Sequence, residues 1–118
     1  AFLAANKNQK VKSISHITGG GLIENPPRSF NKNLTLKFDM KDFKVPPLFK
    51  WLKREANLSL FELAKTFNCG IGFLIFVDKK DSQTIIDDIN KLGYNAFLIG
   101  TMIENNTNDN VIFDNWNF

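Results

Sequence analysis

Three consecutive glycines, Gly19–Gly21, constrain this 118-residue chain more than any other feature. Glycine loses the most conformational entropy on folding, so such a run is expected where the backbone turns tightly or closely approaches another group. The β-branched, alternating residues Val11–Ile17 before it predict a strand. Leu22–Asn25 after it have room for about one helical turn before two prolines. A strand, a glycine turn and a helical turn together point backbone N–H groups at a phosphate.

The residues around the glycines carry the functional groups of an anion site. Thr18 supplies a hydroxyl, Asn25 an amide, and Arg28 a planar cation that matches phosphate oxygens. His16, the only histidine in the chain, lies at the mouth of the turn. It either exchanges a proton with a ligand near neutral pH or is an ordinary strand histidine bonded within the fold. For the glycines themselves, the alternative is a tight turn without a ligand.

The stretch Ser15–Arg28, read as a whole, is more specific than its glycines. Its sequence, SHITGGGLIENPPR, resembles a motif of the phosphoribosylformylglycinamidine cyclo-ligase family, also called aminoimidazole ribonucleotide synthetase. Two later strings resemble the same family in the same order, Val45–Leu52 (VPPLFKWL) and Thr66–Gly72 (TFNCGIG). Three ordered matches within residues 11–77 are difficult to obtain by chance.

The resemblance implies an activity and a set of partners. The family closes the imidazole ring of aminoimidazole ribonucleotide from formylglycinamidine ribonucleotide in purine biosynthesis, using ATP and Mg²⁺ in the cytoplasm. By this resemblance, residues 1–118 are a single domain, the C-terminal half of a larger dimeric enzyme. The N-terminal domain of that enzyme, missing here, would hold most of the ATP and Mg²⁺ residues. The chain does not begin with methionine, which agrees with its being a piece of a longer protein.

The resemblance also implies roles for individual residues. His16 is expected to be catalytic, and no metal ligand is expected in this chain. A second group is expected to bind the phosphate or the rest of the substrate: Thr18, Gly19, Gly20, Gly21, Asn25 and Arg28. Asn68 lies in a second predicted turn, where it either lines the same cleft or caps the preceding helix. Cys69 beside it is expected to be a small buried residue, because no base accompanies it in the sequence.

Composition limits the remaining function classes. Hydrophobic residues make up 43% of the chain and charged residues 23%, as in ordinary globular proteins, and twelve phenylalanines are expected to supply much of the core. The net charge of +3 comes from scattered lysines, without the concentrated basic face of a nucleic-acid-binding protein. No apolar run approaches the ~20 residues of a membrane span. A single cysteine excludes an internal disulfide and a cysteine-based zinc site.

The order of apolar patterns predicts an α+β fold, β-α-β-α-α-β-α-β followed by a short edge strand. We expect a two- to three-layer sandwich with one mixed or antiparallel sheet of four to five strands, partly like the ferredoxin fold. Ile71–Val77, nearly all apolar, is predicted to be a central strand covered on both faces. The other predicted elements are a helix end in residues 1–10, a strand at Leu34–Phe38, helices meeting near Leu58, a helix ending at Gly93, and strands at Tyr94–Ile103 and from Val111.

Three alternatives remain open. One is another enzyme of the same ATP-dependent superfamily, an amidotransferase or a small-molecule kinase, although the three strings fit the cyclo-ligase best. A second is a non-catalytic RNA-binding module, which would need exposed aromatic residues in RNP-type strings. Phe73 and Phe76 lack the basic and glycine residues that flank such aromatics. The third is a fragment that is inert when separated from the rest of its protein.

Overall fold

In a computed structural model, which describes residues 10–116, the chain forms five strands and four α-helices in the predicted order. The strands are β1 (Val11–His16), β2 (Leu34–Asp39), β3 (Phe73–Val77), β4 (Gly100–Glu104) and β5 (Val111–Asp114). The helices are α1 (Gly21–Glu24), α2 (Pro47–Glu55), α3 (Leu60–Thr66) and α4 (Ser82–Lys91), with 3-10 segments at Pro26–Ser29 and Lys79–Asp81. The α+β class is confirmed. The helix end expected near the start of the chain lies in residues outside this range.

The five strands form two sheets, whereas the sequence pattern predicted one. In the three-stranded sheet, β2 lies between β4, with which it is antiparallel, and β5, with which it is parallel. This sheet is therefore mixed, as predicted. β1 and β3 form a separate two-stranded sheet. The prediction that Ile71–Val77 is a central strand is wrong, because β3 pairs only with β1 among the described strands and its first residue, Phe73, is 61% exposed.

The chain divides into two compact units, with the boundaries inside β1 and β3. The smaller unit contains residues 10–14 and 75–98, and α4 buries Ile85 and Ile89 in it. The larger unit contains residues 15–74 and 99–116. Its buried apolar residues are Ile17, Leu22, Leu36, Phe38, Met40, Val45, Leu63, Ala64, Cys69, Ile71, Leu74 and Trp116.

The expectation that phenylalanines supply much of the core is wrong for this unit. Phe38 is the only phenylalanine among residues 10–116 that is buried, while Phe61 and Phe73 are exposed by 62% and 61%. Aliphatic side chains fill most of the interior instead. A small unit encloses few side chains completely, so large rings remain partly at its surface.

The centre strand β2 has buried residues on both of its faces. On one side the Phe38 ring stacks on Phe113 with 4.9 Å between centroids, and Phe113 contacts Trp116 at 4.8 Å. On the other side Thr35 is buried, and its hydroxyl donates a 2.8 Å hydrogen bond to the carbonyl oxygen of Asp109. That bond satisfies a polar group that would otherwise be buried without a partner.

Helices α2 and α3 meet at the predicted corner. Pro47 occupies the first turn of α2, where its missing N–H leaves no hydrogen bond unmade. At the start of α3, the Ser59 hydroxyl accepts from the Glu62 N–H at 3.1 Å, and the Glu62 carboxylate accepts from the Ser59 N–H at 2.8 Å. The predicted capping box is therefore confirmed.

The predicted strand Tyr94–Ile103 begins only at Gly100, so its first half is wrong. Residues after α4 are tied back to the end of that helix. The Asn90 side-chain oxygen accepts from the Ala96 N–H at 2.8 Å, and the Ile89 carbonyl accepts from the Tyr94 N–H at 3.4 Å. The N–H groups in these two bonds are therefore not available for hydrogen bonds to a neighbouring strand.

Candidate functional site

The glycine turn, defined as Thr18–Gly21, is closed by the Gly21 N–H, which donates to the Thr18 carbonyl at 2.9 Å. Gly21 has φ of +61°, and a Cβ there would overlap the carbonyl oxygen of Ala64 and lie 2.8 Å from that of Phe67. The third glycine is therefore required for close packing of the turn against the end of α3. Its N–H is occupied within the turn and is not available to a ligand.

Asn25 fastens the turn from its far end. Its side-chain oxygen accepts from the Thr18 N–H at 2.8 Å and lies 3.5 Å from the Thr18 hydroxyl oxygen. Asn25 is only 5% exposed. Asn25 thus stabilises the turn through its side-chain oxygen. Because that oxygen is already hydrogen-bonded, the predicted ligand-binding role of Asn25 would involve its side-chain amide nitrogen, and it stays a prediction.

The N–H groups of Gly19 and Gly20 donate to no acceptor within residues 10–116. Gly19 is exposed and Gly20 is half-buried, so both residues are partly open to solvent. A Cβ at Gly19 would have no atom within 4 Å, which shows that the space in front of this residue is open. Two neighbouring N–H groups without an acceptor in the described part of the chain are suited to bind one anionic oxygen group.

Two charged residues of opposite sign, Glu24 and Arg28, follow the turn in the sequence. A Cβ at Gly20 would lie 3.3 Å from a carboxylate oxygen of Glu24, so a negative charge lies beside the unpaired N–H groups. Arg28, in the 3-10 segment that follows, is exposed and forms no ion pair with the part of the chain that the structure describes. Helix α1 has only four residues, so its dipole contributes little, and the N–H groups themselves are the attractive feature.

His16 lies at the end of β1, next to the turn, and is exposed. Its imidazole stacks on the ring of Phe73, with 4.6 Å between centroids and 12° between planes. The Ile17 N–H donates to the Gly72 carbonyl at 2.8 Å and fixes the two strands against each other at this level. An exposed imidazole at the mouth of the turn agrees with the predicted position of His16 and leaves its catalytic role a prediction.

Asn68 forms the second turn. Its side-chain oxygen accepts from the Gly70 N–H at 2.8 Å, and its carbonyl accepts from the Ile71 N–H at 2.9 Å. Cys69 within this turn is fully buried, and burial raises the pKa of its thiol to about 11. A thiol with that pKa is almost entirely protonated at neutral pH, which agrees with the predicted buried, unreactive cysteine. The contacts of Asn68 are those of a turn residue, and its role toward a ligand stays a prediction.

Two residues of this region, Phe73 and Glu24, were not predicted from the sequence to be site residues. Phe73 is the first residue of an otherwise aliphatic strand, and an aromatic residue there carried no sign that its ring would be exposed beside His16. Glu24 occurs one turn of helix after Gly20, and this spacing alone places its side chain near that glycine. The spacing alone would therefore have predicted that Glu24 lies near the turn. The position of Phe73 beside His16 becomes apparent only when the pairing of β1 with β3 is known.

Two further observations limit the chemistry of residues 10–116. No three histidine, cysteine, aspartate or glutamate side chains in this range come together in a way that could hold a metal ion. No helix in the same range is long and apolar enough to cross a membrane.

Fold and turn together define an α+β domain with a glycine turn fastened by asparagine and flanked by an exposed histidine. Residues 1–111 match the model of the AIR synthase related protein, C-terminal domain, and the chain belongs to this family. It is 41% identical over 103 residues to a phosphoribosylformylglycinamidine cyclo-ligase of Staphylococcus epidermidis, covering 87% of this chain and 30% of that protein.

Two other relatives also match most of this chain over a minor part of their own length. A phosphoribosylformylglycinamidine cyclo-ligase of Burkholderia multivorans is 40% identical over 101 residues, covering 86% of this chain and 29% of that protein. The human trifunctional purine biosynthetic protein adenosine-3 is 38% identical over 103 residues, covering 87% of this chain and 10% of that protein. The chain thus spans less than a third of the length of these relatives, and the resemblance to the cyclo-ligase family is confirmed.

Proposed function

We propose that this chain acts as part of an ATP-dependent cyclo-ligase that converts formylglycinamidine ribonucleotide to aminoimidazole ribonucleotide, and that the glycine turn binds the substrate phosphate. The observation that carries this proposal is the pair of N–H groups at Gly19 and Gly20, which have no acceptor within residues 10–116 and belong to residues that are exposed or half-buried. The similarity to cyclo-ligases supports the choice of reaction.

In this proposal the residues of the chain act on the ribonucleotide. The N–H groups of Gly19 and Gly20 donate to phosphate oxygens, and the Arg28 guanidinium supplies a positive charge nearby. The His16 imidazole lies at the mouth of the turn, where it moves a proton to or from the reacting part of the substrate. ATP, when bound, supplies the phosphoryl group that activates the formyl oxygen. We place the ATP and Mg²⁺ sites in another part of the enzyme, which is expected to be a homodimer.

A substitution at Gly19 tests the proposal. The space in front of Gly19 is open, so Gly19→Val leaves the fold intact and places two methyl groups in the path of the phosphate. Gly20→Val is less informative, because its Cβ would come within 2.8 Å of the Glu24 Cβ and disturb the turn itself. In the complete enzyme we expect Gly19→Val to raise KM for the ribonucleotide at least ~10-fold, as loss of charge-assisted hydrogen bonds would, while KM for ATP changes less than ~2-fold.

Two variants complete this experiment. Gly72→Ala, at the other glycine without close neighbours or a positive φ, is the matched control and should leave both KM values unchanged. Glu24→Gln removes the negative charge beside Gly20 and should lower KM for the ribonucleotide by about 3-fold, the size of a unit-charge interaction across several ångströms of water. If Gly19→Val instead raises KM for ATP and leaves the ribonucleotide unaffected, the turn binds the nucleotide and the proposal is wrong.

A further inference from the structure

Phe73 has a surface position that folding alone does not explain. It is 61% exposed on a strand whose next residue, Leu74, is only 6% exposed. An exposed phenylalanine gains little from removal of apolar surface from water. Its ring is not isolated, however, because one face lies against the imidazole of His16.

The geometry of this pair is well defined. The centroids are 4.6 Å apart and the planes are inclined by 12°, which is the arrangement of stacked rings. The backbone holds both residues in register, since Ile17, next to His16, bonds at 2.8 Å to Gly72, next to Phe73. The residues on either side of His16, Ser15 and Ile17, are 3% exposed, so the strand that carries the imidazole is anchored.

The imidazole has no other directional contact in the described part of the chain. Neither ring nitrogen of His16 makes a hydrogen bond or an ion pair with any residue from 10 to 116. The second side-chain torsion of histidine is soft, so an exposed imidazole without such a contact rotates broadly. The stack on Phe73 is therefore what selects its orientation, and both nitrogens stay available to a ligand.

We infer that Phe73 is a positioning residue, whose ring holds the His16 imidazole in the orientation that is used at the glycine turn. This inference rests on the proposed role of His16 in proton transfer. An aromatic stacking pair changes a conformational equilibrium by a factor of about two to ten. If only the stacked orientation is competent, loss of the ring should lower kcat by that factor, because the competent fraction falls by it.

The first arm of the test measures the stack in the 118-residue chain. His16 is the only histidine, so its imidazole protons give unique NMR signals. An aromatic ring shields protons above its face, so Phe73→Leu should shift the His16 signals downfield, and Phe73→Tyr should leave them in place. Phe61→Leu, at another phenylalanine of similar exposure, is the matched control and should move neither signal. Unshifted His16 signals in Phe73→Leu would show that the rings do not stack in solution.

The second arm is a double-mutant cycle in the complete enzyme. Phe73→Leu should lower kcat about two- to tenfold with KM for the ribonucleotide within about twofold, and Phe73→Tyr should restore it. On the His16→Ala background, Phe73→Leu should have no further effect, because a residue that acts through His16 has nothing left to orient. An equal loss of kcat on both backgrounds, or none on either, overturns the inference.

The two proposals fail in different ways. His16→Ala is expected to lower kcat about 10²–10⁴-fold if the imidazole transfers a proton. If His16→Ala has this effect and Phe73→Leu has none, the positioning role is wrong and the role of His16 stands. If His16→Ala leaves kcat within a few-fold, the proton-transfer role is wrong, and the positioning role that depends on it falls as well.

Discussion

Cys69 combines complete burial with an unusual backbone conformation. It is fully buried and has φ of +55°, a conformation that non-glycine residues adopt at an energetic cost. The turn that contains it, in which the Asn68 side chain accepts from the Gly70 N–H at 2.8 Å, holds the backbone in place. Burial disfavours a thiolate, so it raises the pKa of the Cys69 thiol. Burial also shields the thiol from reagents in solution.

Burial of Cys69 predicts both its reactivity and a pH dependence of stability. A disulfide reagent at pH 8 should label the native chain only as fast as it unfolds, and label the denatured chain at once. The folded pKa of about 11 lies above the ordinary value of 9.0, so the unfolded state loses its proton first as the pH rises. The Cys69 contribution to stability is therefore complete below pH 9.0 and is lost progressively toward pH 11.

Labelling kinetics and urea titrations between pH 8 and pH 11 check this prediction. Cys69 is the only cysteine, so every labelled molecule reports on it. Cys69→Ala is the control for the pH dependence, because it removes the titrating group and should flatten the loss of stability in this range. Rapid stoichiometric labelling of the native chain at pH 8 would show that the thiol is accessible.

At the scale of elements, the turn and helix α3 depend on each other. Gly21 brings the backbone of the turn against the last carbonyl groups of α3, where even a methyl group would overlap Ala64. Leu22, which follows it, is fully buried. The three glycines therefore have different functions, since Gly21 allows packing while Gly19 faces open space.

This difference predicts opposite outcomes for the same substitution. Gly21→Ala must accommodate both a positive φ and an overlap with backbone atoms that cannot move independently, so it should lower the free energy of unfolding by about 2–5 kcal/mol. Gly19→Ala has neither problem and should change it by less than ~0.5 kcal/mol. Urea denaturation of the two variants of the 118-residue chain measures the difference. Equal stability of both variants would contradict the packing of the turn on α3.

Local signals in the sequence were sufficient to identify most helices and strands. They were insufficient to show which strands lie beside each other. The Ser59–Glu62 capping box and Pro47 at the first turn of α2 depend on residues a few positions apart, so the pattern alone identified them. Whether β3 is central or one of two strands depends on which strand lies beside it, and apolar content does not contain that information. The residues after α4 likewise have the sequence pattern of a strand. In the structure the first of them are instead bonded to the end of α4, through the hydrogen bond between Ala96 and Asn90.

The candidate site shows the same limit. The sequence identified the residue types at the turn, but it did not show which atoms the fold itself uses. The Asn25 side-chain oxygen accepts a hydrogen bond from the Thr18 N–H, and the Gly21 N–H donates to the Thr18 carbonyl, so the fold itself already uses these two groups. Gly19 and Gly20 keep their N–H groups unpaired among residues 10–116. The stacking of Phe73 on His16 joins two strands 57 positions apart and could not be read from local spacing.

At the scale of the whole molecule, the chain matches only a part of each cyclo-ligase that it resembles. It spans 30% of the Staphylococcus epidermidis cyclo-ligase. Residues 10–116 contain no group of three or more histidine, cysteine, aspartate or glutamate side chains that could hold a metal ion. ATP-dependent phosphoryl transfer requires Mg²⁺ at the phosphate oxygens. On the present proposal, the turn and His16 work on the ribonucleotide, and the nucleotide site lies elsewhere in the enzyme.

This division predicts that the 118-residue chain alone hydrolyses no ATP, with or without formylglycinamidine ribonucleotide. A chimera of the Staphylococcus epidermidis enzyme, in which this chain replaces the 103 matched residues, should close the ring, because the remainder of that enzyme supplies the missing site. The same chimera with Gly19→Val is the control, and it should need more ribonucleotide while its KM for ATP stays unchanged. Coupled detection of ADP and of the imidazole product measures both reactions. Ribonucleotide-dependent hydrolysis of ATP by the 118-residue chain alone would show that it contains a complete active site and that the proposed division is wrong.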